Sequence, residues 1–169
     1  EKDLPTEESS YSDWTAFALK WAELSALIHC DSAGVHQPHL REMGDVLNAT
    51  FAEWLCAHYA SLMNLPPSRP AMVHHVPRRL ARDMEGSEDR RIARIVVDGM
   101  ALDQWITIRQ ILQKQDANLV MRESAVFAWI PTITSVSRQA IFSGKAPFYF
   151  PSTIQSTNSD GKLWKQFWE

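Results

Sequence analysis

The stretch Arg94-Ile95-Val96-Val97-Asp98-Gly99-Met100 decides the predicted fold. It contains the end of an apolar, β-branched run over residues 91–97. The run lacks the two-residue alternation of apolar and polar residues, a pattern typical of a strand covered on both faces. Asp98 and Gly99 end the run, and open parallel sheets keep their functional groups just past such strand ends. The stretch therefore predicts a buried strand that brings a carboxylate to one edge of a sheet.

A second stretch, Pro131-Thr132-Ile133-Thr134-Ser135-Val136-Ser137-Arg138-Gln139-Ala140-Ile141-Phe142-Ser143-Gly144, predicts a hydroxyl-rich turn and then a helix over 135–143 that Gly144 terminates. An apolar run over 124–130 predicts another strand, and the periodicity of 101–115 predicts a helix between the two strands. Strand, helix, strand and helix in this order predict an α/β fold whose mostly parallel sheet is flanked by helices.

The chain upstream of residue 86 has helical periodicity. Apolar residues at three- and four-residue steps predict one helix over 14–28, capped by Ser12 or Asp13, and a second helix over about 38–63. Because both helices carry an apolar face, we expect them to pack as a helical hairpin.

Prolines interrupt the helical pattern after the hairpin. Three of them predict a connection: Pro66, Pro67 and Pro70. A short edge element over 72–76 and a short basic helix over 77–82 are predicted to follow. A polar link over 84–89 then leads to the first predicted strand.

The polar link indicates a domain boundary near Gly86. Residues 1–85 are predicted to form a helical N-terminal segment, and residues 86–169 the beginning of the α/β domain. The chain begins without a methionine, and its apolar pattern near Glu169 is that of a helix still in progress. We therefore expect the sequence to be a fragment of a longer protein.

The composition is that of a globular protein with one or two domains, since 45% of the 169 residues are hydrophobic and 22% are charged. A net charge of -3 argues against an extended nucleic-acid-binding surface, and leaves local contact open. No apolar run reaches the ~20 residues of a membrane span, and the acidic N-terminus is unlike a signal peptide. Two cysteines, Cys30 and Cys56, do not suggest a disulfide framework. We expect a cytoplasmic protein without membrane contact.

Asp98 and Thr134 are the candidate chemical groups. A carboxylate is a hard ligand for zinc, manganese or magnesium. Thr134 opens a helix whose free N–H groups and dipole favour an anion, and a metal would activate its weakly nucleophilic hydroxyl. The pair therefore suggests metal-assisted phosphate chemistry. In the alternative interpretation, Asp98 caps the following helix, and Thr134, Ser135 or Ser137 is only an N-cap.

The two stretches together resemble a known family. Residues 95–100, followed by Asp103-Gln104-Trp105, and residues 127–144, with their Pro-Thr-x-Thr and Ser-Gly frame, resemble the PglZ domain of BREX-type phage-defence systems. That family belongs to the alkaline phosphatase superfamily. The resemblance implies a metal-dependent phosphatase or phosphodiesterase that acts on a phosphoester substrate and has other defence-system proteins as partners. It also implies two divalent ions, commonly zinc, with manganese or magnesium as alternatives.

Site residues follow from the resemblance at matching positions. Asp98 is implied as a metal ligand, and Thr134 as the nucleophile that also coordinates the metal. Ser137 and Arg138 are implied to lie near the transferred phosphoryl group, as weaker substrate-binding candidates. The family's remaining Asp and His ligands lie further downstream than this sequence extends, so we expect the chain alone to be inactive.

Two other functions stay open at this point. The chain could be a non-catalytic, PglZ-like scaffold or interaction subunit of a defence complex, with the helical hairpin as its docking surface. It could also be an ordinary nucleotide-binding α/β domain, although it has no glycine-rich phosphate loop.

Residues outside the two stretches give weaker signals. One group matches no zinc template: His29, Cys30, His36 and His39. His74 and His75 are adjacent and predicted to be exposed in a loop. A basic cluster alternates with acidic residues and favours a salt-bridged surface over a nucleic-acid site: Arg78, Arg79, Arg82, Arg90, Arg91 and Arg94. Trp129 is the one tryptophan expected to line a pocket.

Overall fold

The computed structural model describes residues 4–66, 68–86 and 91–169, and these contain six α-helices. The helices are α1 (Tyr11–Cys30), α2 (Gln37–Leu62), α3 (Val76–Met84), α4 (Leu102–Gln115), α5 (Thr134–Ser143) and α6 (Asp160–Trp168). Three short 3-10 turns accompany them: Val73–His75, Pro147–Tyr149 and Pro151–Thr153. The chain divides into two compact units, each built from two separate stretches of sequence.

A reciprocal cap begins α1. The Ser10 hydroxyl oxygen accepts a hydrogen bond from the Asp13 backbone N–H at 3.2 Å, and Asp13 Oδ2 accepts one from the Ser10 backbone N–H at 2.9 Å. Ser10 is therefore the N-cap, and the prediction of Ser12 or Asp13 at that position is wrong. Asp13 instead supplies the carboxylate of the capping box, which also lowers the pKa of Asp13 through the hydrogen bonds from Ser10.

Small side chains on α1 position α4 in the first unit, which comprises the described residues of Glu1–Tyr59 and Met100–Ala125. Ala22 and Ala26 are buried on one face of α1, and Ile106 of α4 is buried against them with 1% of its surface exposed. Alanines let two helices approach closely, so the branched Ile106 side chain fills the space between them.

Aromatic side chains join α1 to α2 in the same unit. The Trp14 ring lies 4.8 Å from the Phe51 ring and 6.0 Å from the Trp54 ring, between centroids. Trp21, two turns further along α1, lies against Gly44, two to three turns earlier in α2. The contacts run in opposite directions along the two helices, which confirms the predicted antiparallel hairpin.

The second unit, the described residues of Ala60–Gly99 and Val126–Glu169, is organised around α5. Helices α3 and α6 and two of the 3-10 turns pack against α5. Gln139 and Ala140, in the middle of α5, have no exposed surface. The helix that carries the predicted hydroxyl-rich turn is thus the centre of this unit.

Gly144 ends α5, as the sequence predicts. Its φ is +64°, in the left-handed region, and its backbone N–H donates to Ala140 O at 3.0 Å. An added Cβ would lie 2.8 Å from Phe167 Cε2 of α6 and 3.3 Å from Pro77 Cγ of α3. A glycine is therefore required both by the backbone conformation and by the close approach of α6.

The predicted α/β fold with a mostly parallel sheet is wrong, because the described residues contain helices and no strand. Residues 91–97 were expected to be covered on both faces, yet exposed residues alternate there with half-buried ones, and Ile95 is 86% exposed. No backbone hydrogen bond of these residues is found in the described part of the chain. A β-branched run favours extended backbone, but a strand also requires a neighbour that satisfies its N–H and C=O groups.

Among the described residues, the second predicted strand forms a parallel bridge between Met72 and Phe127. The Phe127 N–H donates to Ala71 O at 2.8 Å, and Phe127 O accepts from the Val73 N–H at 3.0 Å. The predicted edge element over 72–76 does not continue this pairing, because the chain enters the 3-10 turn Val73–His75 and then α3.

The predicted helices agree with the structure better than the predicted strands do. The segments predicted over 38–63, 77–82, 101–115 and 135–143 are confirmed as α2, α3, α4 and α5. Pro67, the link residues 87–89 and Arg90 lie outside the described residues. The domain boundary near Gly86 stays a prediction.

Candidate functional site

Thr134 is the first residue of α5, and its side chain is exposed. Ile133 is the N-cap and has no side-chain oxygen to accept from the first turn, so the alternative that Thr134 is only an N-cap is wrong. In the part of the chain that the structure describes, neither the Thr134 hydroxyl nor the first N–H groups of α5 have a hydrogen-bond partner. A hydroxyl and several N–H donors are thus available to an anion.

Asp98 lies in a turn directly after the extended segment 91–97. Its side chain is exposed, and Gly99 makes the turn with a φ of +70° and open space around it. Asp98 forms no hydrogen bond or ion pair with another described residue. The carboxylate is therefore available to a cation, and the helix α4 starts four residues later with Ala101, not Asp98, as its N-cap.

Arg94 fixes the segment that precedes Asp98 against α5 and α6. Its guanidinium lies 5.5 Å from the Phe142 ring centroid and 5.1 Å from the Trp164 ring centroid. Burial lowers the pKa of Arg94 to about 10, which leaves the group charged at neutral pH. Both terminal nitrogens are buried without a hydrogen-bond partner among the described residues, so ring contacts stabilise this cation.

Chain length is compatible with a meeting of Asp98 and Thr134. Four residues from Arg94 to Asp98 reach at most about 14 Å. The eight residues of α5 from Phe142 back to Thr134 span about 12 Å. Since Arg94 lies against Phe142, the segment is long enough to follow α5 to its first residue.

The available donors account for part of a metal site. No group of three or more His, Cys, Asp or Glu side chains that could hold a metal ion occurs in residues 4–66, 68–86 and 91–169. Asp98 and Thr134 supply two hard oxygen donors, which suit a divalent ion, but a catalytic zinc site usually has three protein ligands. The pair fits a divalent metal chemically and needs at least one further ligand.

Ser137 and Arg138 follow Thr134 by three and four residues, so they lie one turn further along the same side of α5. Ser137 is half-buried. Arg138 Nε donates to Asp160 Oδ2 at 2.7 Å, and this ion pair joins α5 to the first turn of α6. Arg138 therefore already has a carboxylate partner, and its predicted contact with a phosphoryl group stays a prediction.

A buried polar pair that the sequence did not indicate holds α5 in place. Gln139 Nε2 donates to Thr153 O at 2.7 Å, and the Thr153 hydroxyl donates to Gln139 Oε1 at 2.7 Å. The Ser135 hydroxyl donates to Ile154 O at 2.7 Å. These bonds satisfy buried polar groups on the side of α5 that faces the protein, which positions Thr134 at its start.

His74 and His75 are buried, with 5% and 2% of their surfaces exposed, so the prediction of exposed loop histidines is wrong. The 3-10 turn brings their ring centroids to 4.1 Å, and the His74 ring lies 5.2 Å from the Trp129 ring. His75 Nδ1 accepts from the backbone N–H groups of Ala71 and Met72, both at 3.3 Å. This nitrogen is therefore unprotonated, and Nε2 carries the proton toward Met63 O.

His74 is expected to make folding stability depend on pH. Burial, with the nearby His75 and Arg78, lowers the pKa of His74 from 6.5 to about 4. Below pH 6.5 His74 is protonated in the unfolded chain but stays neutral in the folded chain. The free energy of unfolding is therefore highest above pH 6.5 and decreases as the pH falls toward 4. The loss between pH 7 and pH 5 is about 2 kcal/mol, to be measured by chemical denaturation at both values.

A His74→Phe variant serves as the comparison, because it keeps a ring against Trp129 and cannot titrate. We expect it to lose about 2 kcal/mol less than the parent over this interval, whereas His36→Gln, at an exposed position, retains the parental slope. Equal slopes in the parent and in His74→Phe would contradict the assignment.

The basic cluster is salt-bridged in part. Arg79 Nε donates to both carboxylate oxygens of Asp83, at 2.9 and 3.0 Å, and Arg79 Nη1 donates to Ser68 O. Arg78 forms no ion pair with a described residue.

His29 belongs to the group that matches no zinc template and lies in the first unit. Its Nδ1 is 3.2 Å from Asp103 Oδ2.

Comparison with known proteins gives one match. Residues 76–169, more than half of the chain, match the family model described as the BREX system PglZ alkaline phosphatase-like domain. The matched range includes Asp98 and Thr134. Neither a curated protein nor a solved structure matches the chain. Within the described residues, no helix is long and apolar enough to cross a membrane.

Proposed function

We propose that this chain, which belongs to the PglZ family, carries part of a metal-dependent phosphohydrolase site. In this site Thr134 is the nucleophile and Asp98 is a metal ligand. The family's domain belongs to the BREX system, so the chain has a role in phage defence, and other proteins of that system are its expected partners. A phosphoester is the proposed substrate.

The observation that supports this proposal most is the state of Thr134. Its hydroxyl is exposed and has no partner among the described residues, although serines and threonines near helix starts usually bond to the helix itself. The first N–H groups of α5 beside it are donors at the positive end of the helix dipole. An anion in this position would find its charge compensated.

The proposed reaction uses these groups in sequence. Thr134 Oγ1 attacks the phosphorus atom and loses its proton to solvent, and the leaving oxygen departs on the opposite side as an alcohol after taking a proton from water. The first N–H groups of α5 hold the phosphoryl oxygens during the transfer. Water then attacks the phosphothreonine, which releases phosphate or a phosphomonoester and returns the hydroxyl. A bound divalent metal would lower the pKa of the attacking hydroxyl and stabilise the developing charge.

Asp98 and Thr134 are the residues that would hold this metal, most simply zinc, with manganese or magnesium as alternatives. Two metals are proposed, as the family resemblance implies. The guanidinium of Arg94 lies against the rings of Phe142 and Trp164, and its positive charge would favour anionic groups near the segment.

Replacement of Asp98 by asparagine is expected to lower the divalent-metal content of the full-length protein. A neutral amide is a much weaker ligand than a carboxylate, so at least one of about two bound ions should be lost. Metal content is to be measured by elemental analysis after equilibration with zinc and removal of excess metal.

Asp45→Asn is the matched control, because Asp45 is exposed on α2 and lies outside the proposed site. It should leave the metal content unchanged. If Asp98→Asn retains as much metal as Asp45→Asn does, Asp98 is not a ligand.

A non-catalytic scaffold within a defence complex is the second candidate. Exposed apolar side chains on the α1–α2 hairpin favour it: Leu27 is 66%, Val46 is 67% and Val35 is 70% exposed. Such side chains occur at protein–protein contacts. A full-length protein that binds no divalent metal and has no phosphohydrolase activity would favour the scaffold over the enzyme.

A further inference from the structure

Two cavities of the second unit share Arg78 as a lining residue. The larger has a volume of about 340 Å³ and is also lined by His74, Phe148 and Tyr149. The smaller, of about 190 Å³, is also lined by Lys145. Neither Asp98 nor Thr134 lines either cavity. We propose that the two cavities form one binding site for a nucleoside monophosphate, distinct from the phosphohydrolase site proposed above.

The charges around Arg78 favour an anion. Arg78 and Lys145 form no ion pair with a described residue, although the neighbouring Arg79 is paired with Asp83. Among the described residues, those that line the two cavities include no carboxylate. An unpaired guanidinium with a second cation nearby is the arrangement that binds phosphate oxygens.

Exposed aromatic rings supply the second part of the site. Phe148 and Tyr149 are 63% and 67% exposed, and their ring centroids are 4.6 Å apart. The rings are tilted by 41° to each other and both line the larger cavity, so the exposed face of one ring can stack with a nucleobase. Arg78 connects these rings to the cavity that Lys145 lines, so that a base and its phosphate would each find a suitable partner.

His74 borders the larger cavity with 5% of its surface exposed. Its Nδ1 has no hydrogen-bond partner among the described residues and practically no exposed surface, so a ligand in the cavity would contact the edge of the ring and not this nitrogen. The neighbouring His75 is different, because backbone groups use both of its ring nitrogens.

The size of the site limits the ligand. A cavity of about 340 Å³ lies at the lower end of the ~300–1,000 Å³ that small-molecule sites occupy. This volume suits a single nucleotide. The phosphorylated end of a nucleic-acid strand offers the same chemistry, so the experiment has to separate the two sources.

The test is a calorimetric titration of the 169-residue chain with adenosine 5′-monophosphate. We expect measurable binding, and about tenfold weaker binding by the Arg78→Ala variant. Arg82→Ala is the matched control, since Arg82 is exposed on the same helix and lines neither cavity; its affinity should equal that of the parent. Phe148→Ala should also weaken binding. Because Phe148 is exposed, its replacement should leave the fold intact, so misfolding would not account for the weaker binding.

Further titrations identify what is recognised. Adenosine and inorganic phosphate should each bind at least about tenfold more weakly than the monophosphate, because each lacks one of the two contacts. If inorganic phosphate bound as tightly as the monophosphate, the site would be a simple anion site and the proposal would be overturned. A 5′-phosphorylated oligonucleotide that binds more tightly than the mononucleotide would assign the site to a strand end instead.

Two results would reject the site altogether. One is the absence of heat from the monophosphate up to about 10 mM, a concentration at which even weak specific sites fill. The other is an equal loss in Arg78→Ala and Arg82→Ala, which would mean that only the overall charge of α3 matters. If Arg78→Ala does not fold, as judged by circular dichroism, Phe148→Ala decides the outcome.

Discussion

Replacement of Thr134 by alanine in the full-length, zinc-loaded protein is expected to abolish phosphoester hydrolysis, with turnover reduced at least about a thousandfold. Alanine lacks the oxygen that forms the phosphothreonine, and the rest of α5 does not offer a substitute at the same place. The measurement is the release of nitrophenol from nitrophenyl phosphate and from its diester, which also distinguishes phosphatase from phosphodiesterase activity.

Thr132→Ala is the control for this variant. Thr132 is exposed two residues earlier in the same turn and precedes the helix, so it should retain the parental turnover. Thr134→Ser should keep a part of the activity, because it retains the hydroxyl. Undiminished turnover in Thr134→Ala would remove Thr134 as the nucleophile and leave the family's hydrolytic role without a basis in this turn.

The second large effect concerns stability. Replacement of Trp54 by alanine is expected to lower the free energy of unfolding by about 3–5 kcal/mol. Trp54 is 1% exposed, its indole N–H donates to Ser9 O at 2.7 Å, and its ring contacts Trp14 and Phe51. Its loss leaves a cavity between α1 and α2 and a backbone carbonyl without its donor. Urea denaturation followed by circular dichroism gives the value.

Leu27→Ala provides the comparison, because Leu27 lies on α1 with 66% of its surface exposed. It should change the free energy of unfolding by no more than about 0.5 kcal/mol. A small effect of Trp54→Ala, similar to that of Leu27→Ala, would show that the hairpin does not depend on this aromatic contact.

The helices could be predicted from the sequence because their signals are local. Apolar residues at three- and four-residue steps, prolines and Gly144 placed α2, α4 and α5 within one or two residues of their observed bounds. The antiparallel hairpin followed, since both helices carried aromatic residues on one face.

Local sequence signals alone could not show whether a sheet forms. The run over 91–97 has the composition of a strand, but pairing depends on a second segment that is distant in sequence. In the described part of the chain, Phe127 pairs with Met72, and the run 91–97 pairs with no other residue. Ile95 and Val97 are exposed for this reason, although their chemistry alone would place them inside.

The orientation of α4 also depended on its neighbour. Apolar residues occur on more than one side of α4: Leu102, Ile108 and Ile111 are each at least 40% exposed, while Ile106 is buried. The alanines of α1 determine which residue of α4 fits, and this information is not contained in α4 itself.

The candidate site was predictable in its single positions and not in its surroundings. Glycine and proline signals indicated that Asp98 lies in a turn and Thr134 at a helix start, and the structure has them there. The sheet edge at which Asp98 was expected is absent from the described residues, so that part of the prediction is wrong. The pairing of Gln139 with Thr153 depends on the packing of a later loop, and the burial of His74 depends on a 3-10 turn in place of an extended segment. Neither contact had a local signal.

Gly144 places a restriction on how this protein can vary. Two independent conditions exclude a larger residue there, a left-handed backbone and a Phe167 ring at 2.8 Å from any added Cβ. A smaller residue at position 167 would remove the second condition and leave the first. Compensating changes in α6 therefore cannot open position 144 to other amino acids, and the turn after α5 has effectively one permitted residue type.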